Sequence, residues 1–322
     1  MFLEASTTRN TRGLLLVHQG SLIVERYAPG LNHMSMVSGA FMGAMIVNAL
    51  IGVLVDQKRI SVTDPAYQYL SCWQGTDEVD PRRLITIDHL LRMTSGLQFG
   101  ERTTLLSDLS HLLYNCFDAA AYAANHRVLE EPGNRWQLSS GSTVLLAKII
   151  REVVGDNQYL HFTRKELFDK LQMGNTVVEP DPSGTFLFPA YTYASARDWA
   201  RLGLLYAQKG MFNGQRVLSE DWLKYSTSPT TPAHHWGAHL WLNTGRPGYP
   251  SSRRYLRLPT DAVFAFGQQG CSLVVIPSRS LVVMRIGQDI ALDWQWDPTT
   301  LVTSLEPLLK AIGDSPQRSS TW

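Results

Sequence analysis

HMSMVSGAFMGAMIVNALIGVLVDQKRI, the stretch from His33 to Ile60, has the pattern of a turn followed by one long apolar helix. The apolar run over 41–55 is too short to span a bilayer, and Gly and Asn residues interrupt it. Lys58 and Arg59 follow the run, where cations complement the carboxyl end of a helix. The stretch therefore predicts a helix buried in the core of a globular protein.

Segments of strand type lie near both ends of the chain. Residues 14–18 and 22–27 are rich in Leu, Ile and Val and are joined by a short turn containing Gly, which predicts a β-hairpin. Alternating and β-branched runs return far downstream, at 237–243, 262–266, 272–277 and 281–286. We expect these distant strands to join one antiparallel sheet in an α+β fold.

The middle of the chain has helical periodicity. Thr86 is expected to cap a short helix that stops at Gly96, and Ser195 is expected to cap a helix within 193–206. Further helices are expected over 105–125, 140–173 and 298–312. We expect an α/β lobe made of 1–60 and 235–322, a mainly helical lobe over 61–234, and a ligand cleft between them.

Charge and cysteine content exclude several classes of function. The net charge is +1 without a basic run, so neither nucleic acid nor an anionic membrane is an expected partner. Cys72, Cys116 and Cys271 form no CxxC pair, which indicates reduced thiols and neither a disulfide framework nor a zinc site. The N-terminus lacks the pattern of a signal peptide. We expect a soluble, cytoplasmic protein with no metal and no cofactor; a homo-oligomer remains open.

Six motifs follow one another between roughly residues 11 and 290. They are LLVHQG with VERYAPG, NALIGVLV, IDHLLRMTSGL, PGNRWQLSSG, YASARDWARLG and VVIPSRSLVVMRIG. In this order they resemble the serine β-lactamase-related hydrolases, the group of class C β-lactamases, esterases of that fold, DD-peptidases and nylon-oligomer hydrolases. The resemblance implies a β-lactamase/DD-peptidase-like fold, with an antiparallel sheet flanked by helices and an inserted, mostly helical lobe.

In that family a Ser-x-x-Lys at the helix start supplies a nucleophile and its base, and a Tyr-x-Asn/Ser element supplies a second acid or base. Serine attacks poorly unless a base takes its proton, and one helical turn brings Lys against Ser. Matching the motifs places Phe41 at the nucleophile, Ala44 at the lysine and Leu138 at the tyrosine. A Gly- or His-containing box on a strand lines the other wall of the site in that family, and here it falls at 265–270. Gln268 stands where relatives often carry His, and Cys271 where they often carry Gln. The resemblance therefore implies that the acyl-enzyme machinery is missing from its usual positions.

A shifted match is the alternative to this interpretation. Ser35 and Ser38 lie just upstream of the helix, but the stretch 33–57 contains no lysine to activate either one. Taking either serine as the nucleophile would also shift the apolar helix relative to the NALIG motif. A relocated serine requires both the geometry and the activation to be rebuilt.

Three polar residues remain as catalytic candidates. Ser140 is equally open to two roles, hydrogen bonding a substrate or capping the helix that starts near Gly141. Gln268 is interpreted as an amide that polarises a substrate carbonyl, and Tyr191 as a phenolic donor or as a packed tether. The residues expected to bind the substrate are Phe41, Ala44, Leu138, Phe266, Gly267 and Trp236, the last of which fits a cleft wall or the core equally well.

The direction of the replacements suggests a function. Ser to Phe, Lys to Ala and Tyr to Leu each remove polarity from one pocket floor. We hypothesise a repurposed, non-covalent enzyme that cyclises, isomerises or rearranges an apolar small molecule by positioning it. The alternatives are a non-catalytic pseudoenzyme that binds through another surface and, third, a serine esterase or amidase that uses a relocated serine.

Overall fold

The two ends of the chain meet in one six-stranded antiparallel sheet. The computed structural model describes residues 10–102, 104–289, 301, 305–307, 309 and 310. In spatial order the strands are β2 (Ser21–Tyr27), β1 (Thr11–His18), β11 (Leu281–Gly287), β10 (Ser272–Ile276), β9 (Val263–Phe266) and β8 (Trp241–Leu242). The predicted hairpin and the predicted pairing of N- and C-terminal strands are both confirmed.

The centre of this sheet is buried on both faces. Leu15 and Met284 are directly opposite each other in the β1–β11 ladder and belong to the main hydrophobic core. Their neighbours Leu16 and Val283 point to the other face and pack in a second cluster with Leu301, Leu305 and Leu309. Double burial explains why β10 and β11 are apolar at nearly every position rather than alternating.

One predicted strand is much shorter than expected. The pattern over 237–243 gives only Trp241–Leu242, because the Gly237 amide donates to the Leu240 carbonyl at 2.9 Å and closes a turn. His239 within this turn has a left-handed φ of 58°. The turn removes residues 237–240 from the sheet and leaves β8 as a short edge strand.

The long apolar helix is present as α1 (Gly43–Asp56), and a 3-10 turn over Ala40–Met42 precedes it. Every residue of α1 from Gly43 to Leu54 is buried. Asn48 is the polar exception in this helix. Its amide nitrogen donates to the Ser226 hydroxyl and the Ala238 carbonyl, and its oxygen accepts from Tyr206 and Trp222. These contacts satisfy the buried carboxamide.

The helical middle is more broken than its periodicity predicts. The helices are α2 (Ser71–Gln74), α3 (Ile87–Leu91), α4 (Asp108–Tyr114), α5 (Ala119–Ala124), α6 (Ser140–Val154), α7 (Asp156–Thr163), α8 (Ala196–Ala207) and α9 (Glu220–Ser226). The predicted helix 105–125 is two helices, because the Asp118 carboxylate accepts from the Ala121 amide and starts α5 afresh. The predicted helix 140–173 breaks at Gly155, whose φ of 85° is outside the helical range.

The predicted caps have a mixed outcome. The Thr86 hydroxyl accepts from the His89 amide at 3.2 Å and the Ser195 hydroxyl from the Asp198 amide at 3.1 Å, so both N-caps are confirmed. The prediction that this helix, α3, stops at Gly96 is wrong. The helix ends at Leu91, because Met93 already has a left-handed φ of 59°.

A second sheet positions the start of α1. Its strands are β3 (Met36–Ser38), β5 (Thr192–Ser195) and β4 (Thr176–Val178), with β5 in the centre. A separate short hairpin pairs β6 (Met211–Phe212) with β7 (Gln215–Arg216). α8, which follows β5 directly, packs on β10 and β11 of the main sheet. The division into two lobes stays a prediction. Helix α8 contacts strands that belong to each of the two predicted lobes.

Three remaining expectations concern the termini, membranes and thiols. Most of the predicted helix 298–312 falls outside the described residues. Within the described part of the chain, no helix has the length and apolar character needed to cross a bilayer. Cys72 is exposed, Cys116 is partly exposed and Cys271 is buried, each as a free thiol.

Candidate functional site

Phe41 lies at the turn that connects β3 with α1. The Gly39 amide donates to the Thr192 carbonyl at 2.8 Å, which attaches this turn to β5. Ala40 then adopts a left-handed φ of 43°, an uncommon conformation for a residue with a side chain. The chain thereby leaves Phe41 partly exposed, whereas Ala44, one helical turn later, is only 2% exposed.

The end of β9 forms the opposite side of the site. Gly267 lies so close to the 39–41 turn that a Cβ atom there would overlap the carbonyl oxygen of Gly39. The absence of a side chain at 267 lets the sheet approach the start of α1. Phe266, the last residue of β9, is partly exposed beside this contact.

Phe41 belongs to a group of neighbouring aromatic side chains. We call Phe41, Trp136, Trp236, Trp241 and Phe266 the aromatic wall. Ring centroids are 6.4 Å apart for Phe41 and Trp236, 5.7 Å for Trp136 and Trp236, 4.9 Å for Trp236 and Trp241, and 6.0 Å for Trp241 and Phe266. Leu138 is buried in the same cluster. The structure therefore brings together four of the six residues expected to bind substrate, namely Phe41, Leu138, Trp236 and Phe266.

Members of the wall differ in their exposure. Trp236 is fully buried and its indole nitrogen donates to the Leu91 carbonyl, so it supports the other rings from behind. Phe41, Trp136, Trp241 and Phe266 are partly exposed. These four rings are the apolar surface that a bound molecule can contact.

Ser140 is the first residue of α6 and is engaged by Glu101. One carboxylate oxygen of Glu101 accepts from the Ser140 amide, and the other accepts from the Ser140 hydroxyl at 3.0 Å. The neighbouring Ser139 is the helix cap, with its hydroxyl accepting from the Ser142 amide. Ser139, and not Ser140, thus caps α6.

Glu101 itself is a partly buried carboxyl with an unusual pKa. Burial raises the pKa to about 7, the two hydrogen bonds from Ser140 oppose the rise, and the charge of Asp108 adds to it. Glu101 gives no signal in the sequence, because residues 100–102 belong to no motif and its partner Ser140 is 39 positions away.

Tyr191 and Gln268 have different surroundings. The Tyr191 hydroxyl donates to the Leu113 carbonyl at 3.2 Å, and burial raises the pKa of its phenol to about 12. In this geometry the Tyr191 hydroxyl ties its segment to the backbone at Leu113, as a packed tether does. Gln268 is exposed in the turn after β9. Their catalytic roles stay predictions.

The upstream serines have backbone partners. The Ser38 hydroxyl donates to the Ala190 carbonyl and accepts from the Ala40 amide, each at 3.2 Å. The Ser35 hydroxyl accepts from the Asn32 amide. Among the described residues, none of these hydrogen bonds joins Ser35 or Ser38 to a side chain that could act as a base. Nor do three His, Cys, Asp or Glu side chains of the described ranges come together as a metal site.

The sequence profile of the Beta-lactamase family matches residues 44–288. The chain belongs to the Beta-lactamase family. A curated relative, an uncharacterised protein of Alkalihalophilus pseudofirmus, is 23% identical over 272 residues, covering 79% of this chain and 72% of the relative.

Solved structures share the fold of this Beta-lactamase family member. A Bacillus anthracis protein provisionally assigned as a 6-aminohexanoate-dimer hydrolase has a TM-score of 0.75 at 20% identity, covering 94% of this chain and 79% of its own. A family VIII carboxylesterase has a TM-score of 0.73 at 14% identity, covering 93% and 92%. The octameric penicillin-binding protein homologue of Pyrococcus abyssi has a TM-score of 0.67 at 15% identity, covering 92% and 73%. The predicted family and fold class are confirmed.

Proposed function

We propose that this family member binds an apolar, ring-containing small molecule at the aromatic wall without forming an acyl-enzyme. The observation that carries the proposal is the set of partly exposed rings that Trp236 links to Phe41, at the start of α1. Serine hydrolases of this fold need a nucleophile and a base at that helix start. Phe41 has no nucleophilic atom and Ala44 has no amine to accept a proton.

The aromatic wall has the chemistry of a binding surface. The five rings of the wall meet one another at tilted and edge-on angles, between 41° and 87°. Such packing holds the exposed faces in place, so a planar ligand meets a preformed surface and loses little of its binding free energy to ordering it. Each favourable ring pair contributes about 0.5–1.5 kcal/mol beyond the burial of area.

The form of activity that suits this site is a non-hydrolytic cyclisation, isomerisation or rearrangement. Positioning of a substrate can lower such a barrier without covalent chemistry. Ser140, Gln268 and Tyr191 are the polar groups proposed to assist it.

A non-catalytic binding protein is the second candidate. Two of the three polar groups are already engaged within the protein, which favours this candidate. The Ser140 hydroxyl donates to the Glu101 carboxylate, and the Tyr191 hydroxyl donates to the Leu113 carbonyl.

Two measurements test the proposal. Intact mass is recorded after incubation with a fluorophosphonate probe and with a reactive penicillin, beside a p-nitrophenyl ester assay; we expect no adduct and no turnover. A stoichiometric adduct, mapped to Ser38 or another serine, would overturn the proposal in favour of a relocated nucleophile.

The second measurement is tryptophan fluorescence during titration with neutral N-phenyl-1-naphthylamine. We expect quenching through Trp136 and Trp241, and weaker binding for Phe41→Ala. Phe117→Ala is the matched control, because Phe117 is 72% exposed and outside the aromatic wall. Equal binding by the two variants would place the ligand elsewhere and contradict the proposal.

A further inference from the structure

A cavity of about 340 Å³ lies beside the aromatic wall and is lined by basic side chains. We call it the cationic pocket. Its basic lining residues are His234, His235, Arg246, Arg253 and Arg254. None of the described residues that line it is acidic.

The loop that forms one side of the pocket is held by internal hydrogen bonds. Arg253 donates to the carbonyls of Pro250 and Leu256, each at 2.8 Å, and to that of Leu258 at 3.3 Å. The Ser252 hydroxyl accepts from the Arg246 amide at 2.8 Å and donates to the Tyr249 carbonyl at 2.7 Å. The guanidinium of Arg253 therefore fixes the loop through neutral carbonyls, and none of these three acceptors is a carboxylate.

Other donors in the pocket are available to a ligand. The side chains of Arg246 and Arg254 are both exposed. The Arg254 guanidinium lies 5.5 Å from the centroid of the Tyr255 ring, which orients it without neutralising it. The Nδ1 atom of His234 is buried and has no hydrogen-bond partner within the described part of the chain. A buried ring nitrogen without a partner is uncommon and is satisfied when a ligand supplies one.

Positive charges are concentrated in this pocket without a compensating carboxylate. Burial and the neighbouring Arg254 and His234 lower the pKa of His235, which shows that these groups lie close enough to repel one another. An anion would relieve that repulsion. Arginine guanidinium groups are suited to carboxylates and phosphates because two parallel N–H donors match two oxygens.

We propose that the cationic pocket binds one anionic group, a carboxylate, sulfonate or phosphate, of a small molecule. The inference goes beyond the proposed function and does not depend on it. The volume accommodates a single acidic group with a short linker, and the two loops that line the pocket place its donors around one cavity.

The position of the pocket extends this to a ligand class. The His235 ring stacks on Trp241 with centroids 5.5 Å apart and meets the Trp136 ring at 5.0 Å. A molecule with an apolar ring and one acidic group can therefore contact the aromatic wall and the cationic pocket at once. This extension, unlike the anion site itself, rests on the proposed function.

The test compares two probes that differ by one sulfonate. 1-Anilinonaphthalene-8-sulfonate carries the acid group, and N-phenyl-1-naphthylamine is its neutral counterpart. We expect the folded protein to bind the sulfonate at least about tenfold more tightly, which corresponds to about 1.4 kcal/mol. Added inorganic phosphate should displace the sulfonate probe and leave the neutral probe bound, and higher salt should weaken only the sulfonate.

The variant Arg246→Ala with Arg254→Ala removes two exposed charges from the pocket. It should abolish the preference for the sulfonate and leave the affinity for the neutral probe unchanged. Arg26→Ala is the control, since Arg26 is exposed on β2 at the opposite edge of the sheet.

Each outcome decides a different claim. If the unaltered protein does not bind the neutral probe, the proposed function is contradicted. Displacement of the sulfonate probe by phosphate, together with calorimetric binding of phosphate, still supports the anion site in that case. The inference is overturned if the protein neither prefers the sulfonate probe nor binds phosphate. It is also overturned if the double variant Arg246→Ala with Arg254→Ala behaves like Arg26→Ala.

Discussion

Glu101 should make the stability of the protein fall with pH across the neutral range. Its carboxyl holds a proton in the folded state up to a pKa of about 7, whereas its ordinary value is 4.5. The folded state therefore binds more protons than the unfolded state between these two values, and stability decreases as pH rises between them. Below the lower value and above the upper value, Glu101 contributes no slope.

The size of the effect follows from the two pKa values. A difference of about 2.5 units corresponds to a total of about 3.4 kcal/mol in the free energy of unfolding. Between about pH 5 and about pH 8 the loss is about 2.5 kcal/mol, because the unfolded carboxyl is already largely ionised at the lower pH. The figure is an upper value for a side chain that keeps some contact with water.

Glu101→Gln removes the titration and keeps the contacts. The amide oxygen can accept from the Ser140 amide, and the amide nitrogen can donate to the Ser140 hydroxyl. The variant should match the unaltered protein below about pH 4 and exceed its stability by about 3.4 kcal/mol near pH 8, with about 2.5 kcal/mol of that gap opening between about pH 5 and about pH 8. Urea unfolding followed by tryptophan fluorescence at several pH values measures this difference.

Glu130→Gln is the matched control for charge removal. Glu130 is exposed and its side chain pairs with Arg135 at the surface, so the same chemical change should leave the pH profile intact. Parallel stability curves for Glu101→Gln and the unaltered protein would refute the argument, since the slope would then belong to other groups.

Three further substitutions test the packing around the site. Asn48→Ala should destabilise by about 3 kcal/mol or more in urea unfolding, because it takes away the partner of the buried Trp222 indole nitrogen and of the Ala238 carbonyl; a loss below about 1 kcal/mol would contradict that network. Gly267→Ala should cost about 1–3 kcal/mol by forcing β9 away from Gly39, and an unchanged melting temperature would show that this contact is loose. Ala40→Gly should stabilise by about 0.5–1 kcal/mol, because glycine adopts the left-handed φ of 43° without strain; destabilisation would mean that the strain is smaller than the added unfolded-state entropy.

Local chemistry of the chain predicted most of the elements. The hairpin needed only two β-rich runs and a tight turn, and α1 needed only an unbroken apolar run. Thr86 and Ser195 act as caps because a hydroxyl reaches an amide three residues on, which is visible in sequence. Errors arose where one residue overrides a longer pattern, as Gly155 does in the predicted helix 140–173.

The candidate site was predictable only in part. Phe41 and Leu138 were identified from motifs, and the structure places both in one aromatic cluster. Tyr191 was identified as well, but whether its hydroxyl faces a ligand or a backbone carbonyl depends on Leu113, which is 78 residues away. Side-chain partners at such separations leave no periodic trace in the chain.

The sequence by itself determined the family, the fold class and the chemical groups available at the helix start, since these depend on residue identity and short-range pattern. Tertiary structure alone decided that Glu101 meets Ser140 and that His234 and His235 face Arg254 across one pocket. The physical reason is that burial and the proximity of charges are properties of the packed chain. They arise when distant segments exclude water together, and neither exists along a segment by itself.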